Sequence, residues 1–322
     1  MHTQTNILRR TLMCVATLTL TCWAAVATAQ DAKDAALLTL SLEPAKSRLV
    51  LGEPVYVTAR LRNSSANSAQ VQTMLEPSAG LLTVLVQGSN VNEPIPFIPL
   101  SIGDFELPTT TLARGENMES VFQVFFGGRG WTFPAPGTYQ LTAVLEGTHG
   151  SALRSRPVEI TVSRGDGAGA YLFDQSTADQ LETGKFLVWQ QGDHLRRAQA
   201  TVEEIVKQFP ESPVSDYGRL AMGLNLSRPF HDYSIGRIRP ARPDTALQLL
   251  DDVRPDILPN MLRMRLGLGL TRAYSATGRH AAADRAFANV RSIAAAERLA
   301  LEPQLQSELT SDPALQKYRL SK

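Results

Sequence analysis

The spacing of apolar residues changes once along this chain, close to Ser163. From Leu37 to Val162, apolar and polar residues alternate in short runs, whereas the apolar residues beyond position 170 recur at helical spacing. Alternation gives a strand one buried and one exposed face, and helical spacing gives an apolar stripe along one side of a helix. The sequence therefore predicts a β-rich region followed by an all-α region.

The β-rich region contains about seven candidate strands. They are expected at Leu38 to Leu42, Val55 to Arg62, Gln70 to Met74, Leu81 to Val86, Val121 to Phe126, Tyr139 to Leu145 and Val158 to Val162. Turn-forming Gly, Pro and Asn residues separate these short runs, and no helical crossover lies between them. This pattern favours an antiparallel sandwich, since parallel strands need long crossover connections.

Three turn motifs in this region carry a family resemblance. Gly52-Glu53-Pro54-Val55, Gly115-Glu116 and Pro136-Gly137-Thr138-Tyr139 each precede a predicted strand. Together they resemble bacterial Ig-like domains, which implies an antiparallel Ig-like β-sandwich over residues 36–163. The resemblance also implies that Tyr139 is a corner tyrosine whose hydroxyl holds the connecting loop. It carries no function, because such sandwiches serve many unrelated purposes.

A glycine- and alanine-rich stretch follows the last predicted strand. Residues 164–170 read Arg-Gly-Asp-Gly-Ala-Gly-Ala, a composition typical of flexible linkers. We therefore expect a domain boundary here, with a β domain and a helical domain that fold independently.

Residues 171–322 are predicted to form helical hairpins. Leu270, Tyr274, Gly278, Ala283 and Phe287 stand at the relative offsets of a tetratricopeptide repeat. The region resembles tetratricopeptide-like repeats, and the resemblance implies that Tyr274 and Phe287 fill the space between two helices. The predicted fold class is thus multidomain, an antiparallel Ig-like β-sandwich plus an all-α, TPR-like helical-hairpin domain.

A long insertion from Ser227 to Asp244 interrupts the repeats. Long connections inside compact repeats are often functional, and arginine with aromatic residues is the composition of binding hot spots. We predict a partner-binding site made of Arg228, Phe230, Tyr233, Arg237, Arg239 and Arg242. In the alternative interpretation, the insertion only spans a gap and its arginines pair with Asp244, Asp251 and Asp252.

The N-terminus has the features of a secretory signal peptide. Arg9 and Arg10 precede an apolar run from Leu12 to Val26, and small residues support cleavage after Ala29. The signal peptide would span residues 1–29 and direct the protein to the periplasm or outside the cell. The apolar run is shorter than a membrane span requires, and no later stretch is long enough, so no transmembrane segment is expected.

Removal of the signal peptide changes the chemistry of the chain. Both cysteines, at positions 14 and 22, would be lost, which leaves no thiol for a disulfide or a metal. Loss of Arg9 and Arg10 from the 32 basic residues leaves 30 against 31 acidic residues. A charge this close to zero argues against binding to nucleic acid.

We find no catalytic or metal-binding motif, and we predict no enzyme activity, cofactor or metal. The remaining histidines are spread across both halves of the chain with no ligand spacing between them: His149, His194, His231 and His280.

The sequence favours a non-enzymatic exported scaffold that binds a protein or peptide partner in the cell envelope through its helical repeats. The alternative is binding of cell-wall glycan by the β region, with Trp131, Phe133 or Tyr56 as a stacking platform. Exposure of Trp131 and Phe133 would favour glycan, and their burial would favour the scaffold.

Overall fold

The computed structural model describes residues 38–89, 93–103, 109–146, 152–233 and 235–319. The predicted signal peptide, including its cleavage site, lies outside these ranges. Of the helices described, none is both long enough and apolar enough to cross a membrane.

Fifteen strands are present in the described residues, numbered in chain order. They are β1 (Leu38–Pro44), β2 (Arg48–Val50), β3 (Tyr56–Asn63), β4 (Ala69–Gln72), β5 (Leu82–Gly88), β6 (Ile95–Pro96), β7 (Thr109–Leu112), β8 (Asn117–Gln123), β9 (Phe126–Gly127), β10 (Gly130–Trp131), β11 (Gly137–Glu146), β12 (Ala152–Arg154), β13 (Val158–Ser163), β14 (Phe230–Asp232) and β15 (Arg237–Arg239). A strand is present at each of the seven predicted positions.

Strand β3 shows why the alternating pattern forms these strands. Val57, Ala59 and Leu61 are buried, and the intervening Thr58 and Arg60 are only partly buried. Antiparallel pairing sets Ala59 opposite Leu42 of β1 on one side and opposite Ser120 of β8 on the other. The apolar face of this three-stranded sheet therefore contributes directly to the core.

The predicted Ig-like sandwich is wrong. The described strands divide among five separate sheets: one of three strands, one of six and three of two. In the six-stranded sheet the strand order is β2-β13-β11-β5-β6, and β12 pairs with β11 outside this order. Strand β2 runs parallel to β13, with Leu49 opposite Val162. Alternation reports which face of a strand is buried but not which strands pair, so it could not reveal this mixed topology.

Eight α-helices follow within the described residues. They are α1 (Ala168–Asp174), α2 (Thr177–Trp189), α3 (Arg196–Gln208), α4 (Pro213–Leu226), α5 (Pro243–Asp251), α6 (Asn260–Ala276), α7 (His280–Ala296) and α8 (Arg298–Ser311). From α2 onward, each helix packs against the next one in the chain. The fold is mixed α/β rather than a sandwich joined to a separate all-α domain.

Helix ends follow local chemistry. The Ser212 side chain accepts a hydrogen bond from the Val214 amide, and Pro213 occupies the first turn of α4. Gly278 adopts a φ of 75° between α6 and α7, a conformation that glycine tolerates best. At the end of the described chain, Asp312 caps a short 3-10 helix, Pro313–Tyr318.

The predicted flexible linker is not a linker over its whole length. Helix α1 begins at Ala168, which is fully buried. A Cβ atom placed on Gly169 would lie 2.0 Å from the carbonyl oxygen of Leu51. The glycine therefore allows the helix backbone to pack against the β region, which composition alone could not reveal.

The β region and the helices share one continuous core. The indole nitrogen of Trp131 donates to the backbone oxygen of Gln180 at 3.1 Å, and Gln304 of α8 donates to the oxygen of Val121 at 3.4 Å. A single cluster of buried apolar residues runs from Leu40 to Leu315. The two parts thus bury apolar surface against each other.

Candidate partner-binding site

The predicted insertion forms a β-hairpin between α4 and α5. Its strands pair antiparallel, so that Phe230 faces Arg239, His231 faces Ile238, and Asp232 faces Arg237. Gly236 has a φ of 62° at the tip, which a turn requires and glycine supplies without strain. We refer to residues 230–239 as the hairpin. Among the described strands, none other pairs with it.

Arg239 fastens the base of the hairpin to the helices. Its guanidinium binds the carboxylate of Asp193 and donates to the backbone oxygen of Asn225 at 2.8 Å. It also donates to the backbone oxygens of Arg228 at 3.2 Å and Pro240 at 3.0 Å. Because its side chain is largely buried and its donors are used internally, Arg239 positions the hairpin and is not free for a partner.

Arg228 lies below the hairpin and also faces inward. Its Nη2 atom is 3.4 Å from the carboxylate of Glu308 in α8. Burial, followed by the nearby positive charge of Arg272, lowers the pKa of Arg228 from its ordinary value. The sequence placed Arg228 in the binding surface, but the structure places it at the hairpin base.

The hairpin tip carries an exposed apolar cluster. Tyr233 is 84% exposed, Ile235 56% and Ile238 66%. The His231 and Tyr233 rings lie 4.0 Å apart between centroids, which orders one side of the tip. These three side chains are near one another in the sequence of one hairpin, and grouped exposed apolar side chains mark interaction sites, whereas single ones need no explanation. We call Tyr233, Ile235 and Ile238 the tip cluster.

The structure divides the six predicted residues between the hairpin base and its exposed surface. Tyr233 and Arg237 are exposed on the hairpin, and Arg242 is exposed just beyond it. Phe230 is half-buried and its ring stacks on that of His194, with centroids 5.9 Å apart. Ile235 and Ile238 were missed, although they flank the glycine-containing turn, where a two-stranded hairpin leaves side chains exposed.

The alternative brace through Asp244, Asp251 and Asp252 does not match the contacts either. Asp193 and Glu308 are the carboxylates that hold Arg239 and Arg228. Asp251 instead accepts a hydrogen bond from the Tyr274 hydroxyl at 2.9 Å. Arg239 and Arg228 do brace the hairpin, but the carboxylates that pair with them are distant in the sequence.

The aromatic residues considered for glycan stacking do not form an exposed platform. Phe133 and Tyr56 are buried. Trp131 packs edge-on against Phe126 at 5.5 Å and Phe173 at 5.4 Å. Trp131 is half-buried and its indole nitrogen is bonded to the backbone oxygen of Gln180, and it forms no exposed pair with the buried Phe133.

A cavity of about 440 Å³ opens beside these aromatics, at the edge of the six-stranded sheet. Its walls include Phe97, Trp131 and Tyr139. The Tyr139 hydroxyl donates to the Ala135 oxygen at 2.7 Å, in a sheet that is not an Ig-like sandwich. Burial is the main cause that raises the pKa of Tyr139 above its ordinary value.

Within the described residues, no group of three His, Cys, Asp or Glu side chains is placed to hold a metal ion. His194 and His231 lie near the hairpin and contact aromatic rings. His280 begins α7, and His149 lies outside the described residues.

Comparison with known proteins gives no family. No family model and no curated protein matches this chain. Partial structural similarity extends to a β-glucosidase from Erythrobacter marinus (14% identity, 39% of this chain and 15% of that chain, TM-score 0.24). It also extends to the sporulation control protein Spo0M from Bacillus subtilis (10%, 43% and 54%, 0.27) and to the alkylpurine DNA glycosylase AlkC from Pseudomonas fluorescens (11%, 39% and 30%, 0.25). This chain covers about half or less of those proteins, and at these TM-scores none of them identifies its fold or function.

Proposed function

We propose that this protein is a non-enzymatic interaction protein of the cell envelope that binds a protein partner through the hairpin. The observation that carries the proposal is the tip cluster, Tyr233, Ile235 and Ile238, exposed on a hairpin whose base is fastened by Arg239. Because its base is fastened, the hairpin loses less conformational entropy when it binds a partner. This favours docking through its apolar tip.

The chemistry of the hairpin defines the partner. Its two strands form a separate two-stranded sheet, so their outer edges can pair with an extended segment of another protein. Arg237 is exposed next to Ile238 on the hairpin, and Arg242 is exposed just beyond the hairpin base. The partner would therefore present an extended segment with apolar side chains and nearby carboxylates.

The signal-peptide features of the first 29 residues support an envelope or extracellular location. Basic residues, a short apolar run and a small-residue cleavage site are the features that the export machinery reads. N-terminal sequencing of the protein recovered from the periplasm and from the medium tests this part. A chain that keeps Met1 in the cytoplasm contradicts it.

Site-specific photo-crosslinking in intact cells tests partner binding. A photoreactive phenylalanine analogue at Ile238 should crosslink to one discrete partner, because this side chain is exposed on the tip. The matched control is the same analogue at Leu299, which is 50% exposed on α8.

A triple variant, Tyr233→Ser, Ile235→Ser and Ile238→Ser, tests the same site without a crosslinker. It should lose the partner and keep its melting temperature, because exposed apolar side chains add little to stability. The control is Ile102→Ser with Leu299→Ser, which removes exposed apolar side chains elsewhere. Equal recovery of the partner by both variants would remove the hairpin from consideration.

A further inference from the structure

A polar pocket of about 200 Å³ lies beneath the hairpin. It is bounded by the hairpin base, the end of α2 and side chains from α6 and α8. Its lining includes Trp189, Gln190, Arg228, Phe230, Arg265 and Glu308. The lining of this pocket differs in chemistry from the tip cluster, because two arginines and several amide side chains contribute to it.

Positive charge exceeds negative charge around this pocket. Glu308 is shared, since Arg228 lies 3.4 Å and Arg272 lies 3.0 Å from its carboxylate. Arg272 also binds Asp312. Three guanidinium groups, counting Arg265, thus face two carboxylates, which leaves one positive charge uncompensated.

Arg265 carries that uncompensated charge. Its Nη1 atom donates to the neutral side-chain oxygen of Gln190 at 3.0 Å. No carboxylate lies within ion-pair distance of Arg265 among the described residues. A half-buried guanidinium paired only with a neutral amide favours a bound anion, because an anion would compensate its charge as well as accept its hydrogen bonds.

Two of these arginines each have one buried donor atom without an acceptor among the described residues. They are the Nε atom of Arg228 and the Nη1 atom of Arg272. A buried donor without an acceptor is destabilising, and native structures usually satisfy it with protein, water or a ligand. The orphan on Arg228 belongs to a residue that lines the pocket.

Gln190 supplies a third observation. It has a φ of 54°, and it is the one non-glycine residue with positive φ in the described part of the chain. Glycine would adopt this conformation at less cost, so the side chain has a reason to be there. The Gln190 amide oxygen accepts from Arg265 and orients it at the pocket wall.

We propose that this pocket binds one small oxoanion, a carboxylate or phosphate group, through Arg265 and Arg228. The anion would neutralise the surplus charge and accept from donors that otherwise lack a partner. It would sit on the Arg265 side, away from the carboxylate of Glu308. A pocket of about 200 Å³ has room for such a group.

Isothermal titration calorimetry of the full chain tests the site with two probes, sodium phosphate and sodium acetate. Sodium chloride at matched ionic strength serves as the background, because a nonspecific charge effect would appear there as well. We expect saturable binding of at least one probe. Binding of phosphate alone or acetate alone identifies the oxoanion, and the absence of saturable binding for both overturns the proposal.

Two variants assign the binding to this pocket. Arg265→Gln should weaken it about tenfold or more, since it removes the charged donor. Gln190→Gly should also weaken it, because glycine suits the backbone but cannot orient Arg265. Arg291→Gln, an exposed arginine on α7 away from the pocket lining, is the matched control and should bind like the wild type. Wild-type affinity in either folded pocket variant would overturn the assignment.

Discussion

Gly184 of α2 lies directly against the ring of Phe126 in β9. A Cβ atom on Gly184 would be 2.1 Å from the Cδ2 atom of Phe126, and both residues are buried. Real side chains do not approach that closely, so a glycine is required where this helix crosses the β region. The contact is one of the points at which the two parts of the chain become a single packed body.

Gly184→Ala should therefore lower the free energy of unfolding by about 1 to 3 kcal/mol, because the added methyl group overpacks a filled core. Urea unfolding followed by circular dichroism measures this change. Glu203→Ala, on an exposed position of α3, is the control and should stay within about 0.5 kcal/mol of the wild type. A stabilised Gly184→Ala protein would show that the helix can shift away from Phe126.

The shared core predicts cooperative unfolding of the whole described chain. Differential scanning calorimetry should show one transition, because α1, α2 and α8 all pack against the β region. The sequence alone led us to expect two independently folding halves. Two well-separated transitions, or a stable fragment 171–322, would restore that expectation.

Phe287 should be among the most important core residues of the helical region. It is 5% exposed, and its ring stacks on Tyr318 with centroids 4.3 Å apart. Phe287→Ala should cost about 3 to 5 kcal/mol, measured by urea unfolding. Tyr274→Phe is the contrast: it removes one exposed hydrogen bond to Asp251 and should cost about 1 kcal/mol or less. Similar losses for both variants would contradict the packing described for Phe287.

The arginines of the hairpin should separate into two classes. Arg239→Ala should lower stability by about 1 to 3 kcal/mol, because Asp193 loses its cation and two strands lose their anchor. It should also speed hydrogen exchange at the hairpin amides. Arg237→Ala should leave both quantities unchanged, since that side chain is exposed. Equal effects would mean that Arg239 does not fasten the hairpin.

Stability should decrease at alkaline pH. Burial raises the pKa of Tyr56 to about 12 from its ordinary value of 10.0, with a smaller opposing effect from Arg265. The folded state therefore keeps this proton where the unfolded state releases it. The contribution of Tyr56 to the free energy of unfolding is fully present below pH 10 and is lost as the pH rises to about 12.

Tyr56→Phe isolates that contribution. Urea unfolding should show that the free energy of unfolding falls less between pH 8 and pH 11 for the variant than for the wild type, because phenylalanine has no proton to release. Tyr233→Phe is the control, since Tyr233 is 84% exposed and should leave the pH dependence unchanged. Identical pH profiles for Tyr56→Phe and the wild type would exclude Tyr56 as the cause.

The identity of the hairpin residues shows where sequence reasoning stops. Arginine-aromatic composition and a long connection correctly marked residues 228–242 as unusual. They could not show that Arg239 reaches Asp193, 46 positions away, or that Arg228 reaches Glu308, 80 positions away. The three exposed apolar residues of the tip become evident only once the strands are paired.

The sequence by itself determined where strands and helices form. Alternation in β3 and β11, and helical spacing in α6 and α7 with Gly278 between them, are local properties that depend on neighbouring residues. The tertiary structure alone decided how the strands divide among five sheets and that a helix begins at Ala168. It also decided which arginines are structural. These outcomes depend on contacts between residues far apart in the chain, and a periodic pattern specifies that one face is buried without specifying its partner.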